Sequence, residues 1–291
     1  MAIGDVTFYA NYINFYGIDY TAEPSASGET YTCSGGETSG ELYDLVDNKR
    51  GSIVTFDTNG QSTNPIIDFD FSATIYAGCV IIDKHNLKTA TADVTLLEAS
   101  TPKNITTAYS GALGAALTAT TISSNEVITG GATGSDGILL INFTSVESGT
   151  AFEVTFDDYN AANYSANLWI GEIIFSNAKT MSIAPTINII DETKQPGVTV
   201  NTSLGGQKYS FATSTRRKAW NLTWQIMTST DKANLETVWI VTGGGRYPFY
   251  IDLGEAATPQ LYYVRFMQDT LRFTQLSSGA YSTTILIESE V

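Results

Sequence analysis

Few residues of this chain are of a type that does chemistry, and their spacing limits what each can do. There is one histidine, His85, in the run Asp83-Lys84-His85-Asn86-Leu87. A lone histidine cannot build a multi-histidine metal site. With Asp83 as its orienter it has the makings of a general base. No nucleophile motif accompanies it, so the sequence favours a strand-end histidine hydrogen-bonded to the adjacent turn. Asp57, Asp68 and Asp70 are the carboxylates to weigh for a calcium or glycosidase site. Alternation in Ile66-Ile67-Asp68-Phe69-Asp70-Phe71 puts Asp68 and Asp70 on one solvated strand face, whereas a glycosidase needs two carboxylates across a cleft. Asp157-Asp158-Tyr159-Asn160 offers oxygen ligands to a hard cation but lacks the regular spacing of a calcium loop. Gly243-Gly244-Gly245 and Gly130-Gly131 match no nucleotide fingerprint. The first follows a predicted helix, the wrong polarity for anion binding at a helix N-terminus. No catalytic residue, cofactor or metal site is expected, and the chain reads as something other than an enzyme.

Residues suited to binding are easier to find. Arg216-Arg217-Lys218 precede Trp220-Asn221-Leu222-Thr223-Trp224, and basic residues beside alternating aromatics suit an acidic strand or single-stranded nucleic acid. The chain carries 15 Lys+Arg against 30 Asp+Glu, a net charge of −15. That charge repels phosphate backbones and anionic lipids. The expected partner is therefore another acidic copy of the chain, met by Arg216, Arg217, Lys218, Trp220, Trp224 and Arg246. Against this, Trp220, Leu222 and Trp224 share one strand face, a pattern more often core than platform. Tyr43, Tyr159 and Tyr164, in predicted loops, are candidates to stack on a glycan.

The elements that must hold these residues are mostly strands. The 291 residues suffice for two domains, and 43% hydrophobic with 15% charged residues describes a folded chain. Abundant Thr, Ser, Gly and Tyr favour strands over helices. Ala77 to Asp83 is a continuous apolar run, which fits a strand buried on both faces. Short strands with turn signals between them, from Ile53 to Phe175, predict a β-sandwich or jelly roll. The Ala/Thr/Gly/Ser-rich stretch 110–137 reads as an exposed loop or irregular edge strands. Residues 1–185 are expected to form the sandwich with an N-terminal arm, and 186–291 a smaller β domain with one helix. That helix starts at Thr228-Ser229-Thr230-Asp231 and stops at Gly243. Cys79 reads as a buried free thiol, the alternative being a disulfide with Cys33. The N-terminus has no secretion signal and no run is long enough to span a membrane, so a soluble product is expected.

Two resemblances rest on these residues. Leu42-Tyr43-Asp44-Leu45-Val46-Asp47-Asn48, the strand Ile66 to Phe71, Val80 to Leu87 and Ile170-Gly171-Glu172-Ile173-Ile174-Phe175 follow one another as in the galactose-binding-like (discoidin-like) jelly roll. That family's tryptophan after the first turn is replaced by Ser52-Ile53, and its sugar-binding loop residues are not recognisable, so the resemblance implies the fold and not the ligand. The order Gly206-Gln207-Lys208-Tyr209, Arg217 to Trp224, Gly244-Gly245, Pro248-Phe249 and Val264-Arg265-Phe266 is similar to tail-tip and distal-tail proteins of tailed bacteriophages. It implies a structural virion protein, assembled into a ring of its own copies with other tail proteins. The alternative is a carbohydrate-binding adhesion module for host-surface glycan. Neither reading brings nucleic acid or membrane insertion.

Overall fold

Runs of alternating or β-rich sequence become antiparallel strands throughout. The computed structural model describes residues 5–12, 30–33, 37–48, 51–60, 64–90, 92–100, 104–111, 138–158, 166–190, 198–202, 208–212, 218–255 and 260–290. In chain order the strands are β1 Thr7–Tyr9, β2 Thr30–Cys33, β3 Glu37–Ser39, β4 Val54–Phe56, β5 Ile66–His85, β6 Ala92–Ser100, β7 Asn104–Gly111, β8 Ile138–Asp158 and β9 Leu168–Ser176. They continue as β10 Lys179–Thr180, β11 Thr186–Ile190, β12 Val198–Thr202, β13 Lys208–Ala212, β14 Ala219–Thr228, β15 Phe249–Asp252, β16 Leu261–Phe266, β17 Thr274–Ser277 and β18 Ala280–Ser289. The helices are α1, Leu87–Ala90, and α2, Ser229–Val241, with a 3-10 turn at Leu42–Leu45. The fold is mainly β, a sandwich joined to a smaller β unit, as expected.

Two long strands turn corners and so belong to both sheets of the sandwich. Their mutual register breaks between Asp70 and Ile75 and between Ala77 and Cys79. Before the corner, β5 pairs with β2 and with the second half of β8, which continues to β6 and β7. After it, Cys79 to His85 pair with β9 and with the first half of β8, and β9 continues to β4 and β3. Ile67, Phe69, Phe152 and Val154 of one sheet meet Val80, Ile82, Leu139, Ile173 and Phe175 of the other in one core. Phe175 packs its ring 5.2 Å from both Phe69 and Phe152, centroid to centroid. Each such aromatic pair adds about 0.5–1.5 kcal/mol beyond area burial.

The remaining strands form a base. Its sheet runs β10-β1-β15-β16-β18-β14-β11, with β17 on β18, while β12 and β13 form a separate hairpin. This sheet reaches back across the boundary expected near residue 186. Phe8 of β1 lies 6.0 Å from Phe249 and 6.5 Å from Trp224, ring to ring, so the first strand completes the core of the last. The sandwich is thus inserted between two strands of the base, β1 and β10.

One base face is covered by α2. Thr228 caps the helix: its Oγ1 accepts from Asp231 N at 3.1 Å, and the Asp231 carboxylate accepts from Thr228 N at 3.3 Å. A reciprocal capping box of this kind satisfies two otherwise orphaned donors. Leu235, Val238 and Val241 point into the base core. Gly243 and Gly244, at φ +60° and +72°, end the helix by returning their N–H groups to Ile240 O and Trp239 O. The other base face meets the sandwich. Tyr9, Tyr250, Leu261 and Tyr263 pack on Cys79, Ile81, Ile138, Leu140 and Ile174. This makes four layers: two sandwich sheets, the base sheet and the helix. It also explains the continuous apolar run, because residues 79–83 have a core on each side and are at most 1% exposed. No described helix is long and apolar enough to cross a membrane.

Candidate binding surfaces

The joint between sandwich and base gathers several buried polar groups. Tyr9, Tyr250 and Tyr263 stand side by side on three neighbouring strands. Tyr250 donates its hydroxyl to Asp83 Oδ2 at 2.5 Å, and Tyr263 donates to Asn48 O at 3.1 Å. Burial raises the Tyr9 hydroxyl above the ordinary tyrosine range, with Cys79 and Asp252 adding to the effect. Burial likewise pushes the Cys79 thiol up to about 12. Cys79 is free, and its Sγ donates to Ser176 O at 3.5 Å, so the alternative disulfide with Cys33 is not made.

The general-base pairing of Asp83 with His85 is not assembled. Between them Lys84 adopts φ +51°, and Gly171 opposite approaches so closely that a Cβ there would meet Asp83 O and Lys84 Cβ at 2.9 Å. The strands change face at this twist. Asp83 pairs across with Glu172, whereas His85 pairs with Ile170, a residue of the sandwich core. His85 is wholly buried, and neither ring nitrogen has a hydrogen-bond partner. The expected hydrogen bond to the adjacent turn is therefore absent: burial in apolar surroundings wins. Burial also lowers its pKa to about 4, with Asp83 acting in the opposite direction. A histidine sealed from solvent has no route to a substrate proton.

At one end of the sandwich a different arrangement faces water. Phe56, Leu168 and Ile170 enter the core, which turns Thr55 and Trp169 to the outer face, where they are cross-strand neighbours. The base does not reach this corner: Trp169 is half-buried and Ile53 is 43% exposed. Side chains lock the corner's backbone. Thr58 Oγ1 accepts from Leu168 N at 2.9 Å, and Asn86 Oδ1 accepts from Trp169 N at 2.8 Å. Asn86 Nδ2 donates to Asn167 O at 2.7 Å, and Asn59 N donates to Asn167 Oδ1 at 2.9 Å. Asp57, Asn59 and Asn167, on the segments next to β4 and β9, are exposed. A half-buried aromatic on a hydrogen-bonded frame whose neighbouring segments carry exposed amides and one carboxylate can stack on a sugar ring and bond its hydroxyls.

The residues singled out in the sequence are scattered. Trp220 and Trp224 are 2% and 1% exposed in the base core, and Trp224 Nε1 donates to Ile183 O at 2.8 Å. Their interface role is corrected accordingly: the alternation that aligned them serves packing within the chain. Lys218 is exposed beside β18, its N–H donating to Ser289 Oγ at 2.8 Å. Arg246 is exposed and lies over the Tyr247 ring. Tyr43 is half-buried against the sandwich core. Arg216, Arg217, Tyr159 and Tyr164 lie outside the described residues, as do the Gly130-Gly131 turn and the side chains of Asp68 and Asp70. No group of three or more His, Cys, Asp or Glu suited to a metal occurs among the described residues. Trp169 is not among the residues singled out in the sequence, although its place between Leu168 and Ile170 marks it as outward-facing.

No protein-family model matches the chain, and no curated protein does. Solved structures do. A CBM32-1 module from a family 31 glycoside hydrolase of Clostridium perfringens is 14% identical, covers 51% of this chain and 94% of its own, and has a TM-score of 0.37. The family 32 CBM of C. perfringens NanJ, in complex with galactose, is 9% identical over 60% of this chain and 99% of its own, TM-score 0.37. A chitosan-binding module from a Paenibacillus chitosanase/glucanase is 14% identical over 58% of this chain and 99% of its own, TM-score 0.37. Likenesses this distant assign the chain neither a family nor a ligand.

Proposed function

We propose that the protein is a non-catalytic carbohydrate-binding protein, in which the base mounts the sandwich and the Trp169 corner holds a sugar. The half-buried indole of Trp169 carries this reading, with exposed Asn59 and Asn167 on the neighbouring segments. Stacking of a sugar ring on such a plate excludes water from an apolar face, and the amides supply direction. The Asp57 carboxylate and a net charge of −15 favour a neutral or amino sugar at this corner over an anionic one. A glycan array probed with the full chain, then titration of its best sugar, tests the reading. Galactose and GalNAc-β-1,3-galactose, the sugars bound in two of the matched modules, are convenient first probes. Saturable binding that weakens by about tenfold or more in Trp169→Ala supports it; binding by no glycan, or undiminished binding in the variant, refutes it.

A second reading makes the chain a structural virion protein of a tailed phage, ringed with its own copies. The β17–β18 hairpin favours it, because all four residues of β17 are exposed and Leu276 is 52% exposed. An open strand edge with apolar side chains is a ready partner for another strand. Light scattering across a concentration series separates the two: a closed oligomer speaks for the ring, a monomer at every concentration against it.

A further inference from the structure

Among the described residues, the base sheet face that meets the sandwich is covered only along β1, β15 and β16. Along β14, β18 and β17 the same face lies open as a groove of about 520 Å³. Thr223 and Thr284 face each other across two strands, hydroxyl to hydroxyl at 3.2 Å, and Thr274 pairs with Ser282 on the next. Trp224, Gln225, Thr283 and Arg272 complete the lining. Arg272 is exposed, and among the described residues no ion pair engages its guanidinium. Its backbone is fixed, since Thr283 Oγ1 donates to Arg272 O at 2.6 Å. A guanidinium without an ion-pair partner among the described residues is conspicuous on a chain with twice as many acids as bases.

We propose that this groove is a second saccharide site, selective for a sugar bearing one carboxylate, a uronate. One guanidinium matches one carboxylate through two parallel hydrogen bonds. The surrounding hydroxyls and amide pair with sugar hydroxyls. A polyphosphate or nucleic acid would need several cations, and the net charge repels it. The groove is open and lies across neighbouring strands, which suits a chain of sugars.

Calorimetric titration of the full chain with a galactose tetrasaccharide in which one sugar is galacturonate tests this, with the neutral galactose tetrasaccharide and tetraglutamate as controls. The uronate is expected to bind about tenfold or more tighter than either control. Arg272→Ala should lose that margin and Arg272→Lys recover part of it, while Trp169→Ala leaves it intact. Because Arg272 is held through its backbone and its side chain is exposed, both Arg272 variants should keep the wild-type circular dichroism. No saturable heat with the uronate, unchanged binding in Arg272→Ala, or equal binding of tetraglutamate would overturn the proposal. Loss of neutral-sugar binding in Trp169→Ala reports on the sandwich corner alone, so the two sites fail separately.

Discussion

Trp169 in the sandwich and Trp224 in the base sit in strands of similar sequence character, yet one faces solvent and the other fills a core. Trp224 has α2 above it and Phe8 beside it, and its Nε1–H is satisfied by Ile183 O. Trp169 has Leu168 and Ile170 claiming the core side, and the base stops short of its outer face. An aromatic's role is thus set by the layer stacked on its strand face. Alternation reports which residues share a face and is silent on what covers it.

The comparison breaks most visibly at Trp224. Trp224→Ala leaves a large cavity and should cost about 3–5 kcal/mol. Urea unfolding is the check, and a loss below 1 kcal/mol would mean the base core is not built around this ring. Acid gives the next largest effect, on the sandwich. The folded pKa of His85 is lowered from 6.5 to about 4, so the unfolded chain binds a proton that the folded chain refuses. Stability is full above about pH 6.5 and declines as pH falls toward 4, by up to about 3 kcal/mol. In His85→Leu this acid-side slope should be smaller, as measured by urea melts at several pH values. An unchanged slope would show that other groups carry it. The joint between the regions comes third. Tyr250→Phe leaves a buried Asp83 oxygen without its 2.5 Å donor and should cost about 1.5–3 kcal/mol, read from the same melts. A neutral result would mean that this hydrogen bond adds nothing net to the docking of the sandwich. The smallest effect on stability belongs to Trp169→Ala, at about 1 kcal/mol for a half-buried side chain outside both cores.

Much of the fold is legible in the residues themselves. The helix announces itself through Thr228, Asp231 and the glycines that follow Val241, because caps are local chemistry. The doubly buried strand shows in Cys79-Val80-Ile81-Ile82, because an unbroken apolar run has no polar face to offer water. The corners in β5 and β8 are hidden, since a strand that changes sheets keeps its apolar content through the bend. The base sheet's claim on β1 is hidden too. Thr7–Tyr9 is three residues long, and its partner Tyr250–Asp252 lies about 240 residues away. His85 reads as a hydrogen-bonded turn residue because nothing in its neighbours reveals that Ile170 will sit across from it. The Trp169 corner depends on β4, β9, the segments flanking them and Asn86 next to the end of β5, a convergence that only the sheet order creates.

The central claim is that this corner binds a sugar, and one titration tests it most directly. The full chain and its Trp169→Ala variant are titrated with the best neutral glycan from an array, with melting temperature followed alongside. The account predicts saturable binding by the wild type, a loss of about tenfold or more in the variant, and nearly unchanged melting. Equal affinity in the two proteins would contradict it, as would the absence of any bound glycan.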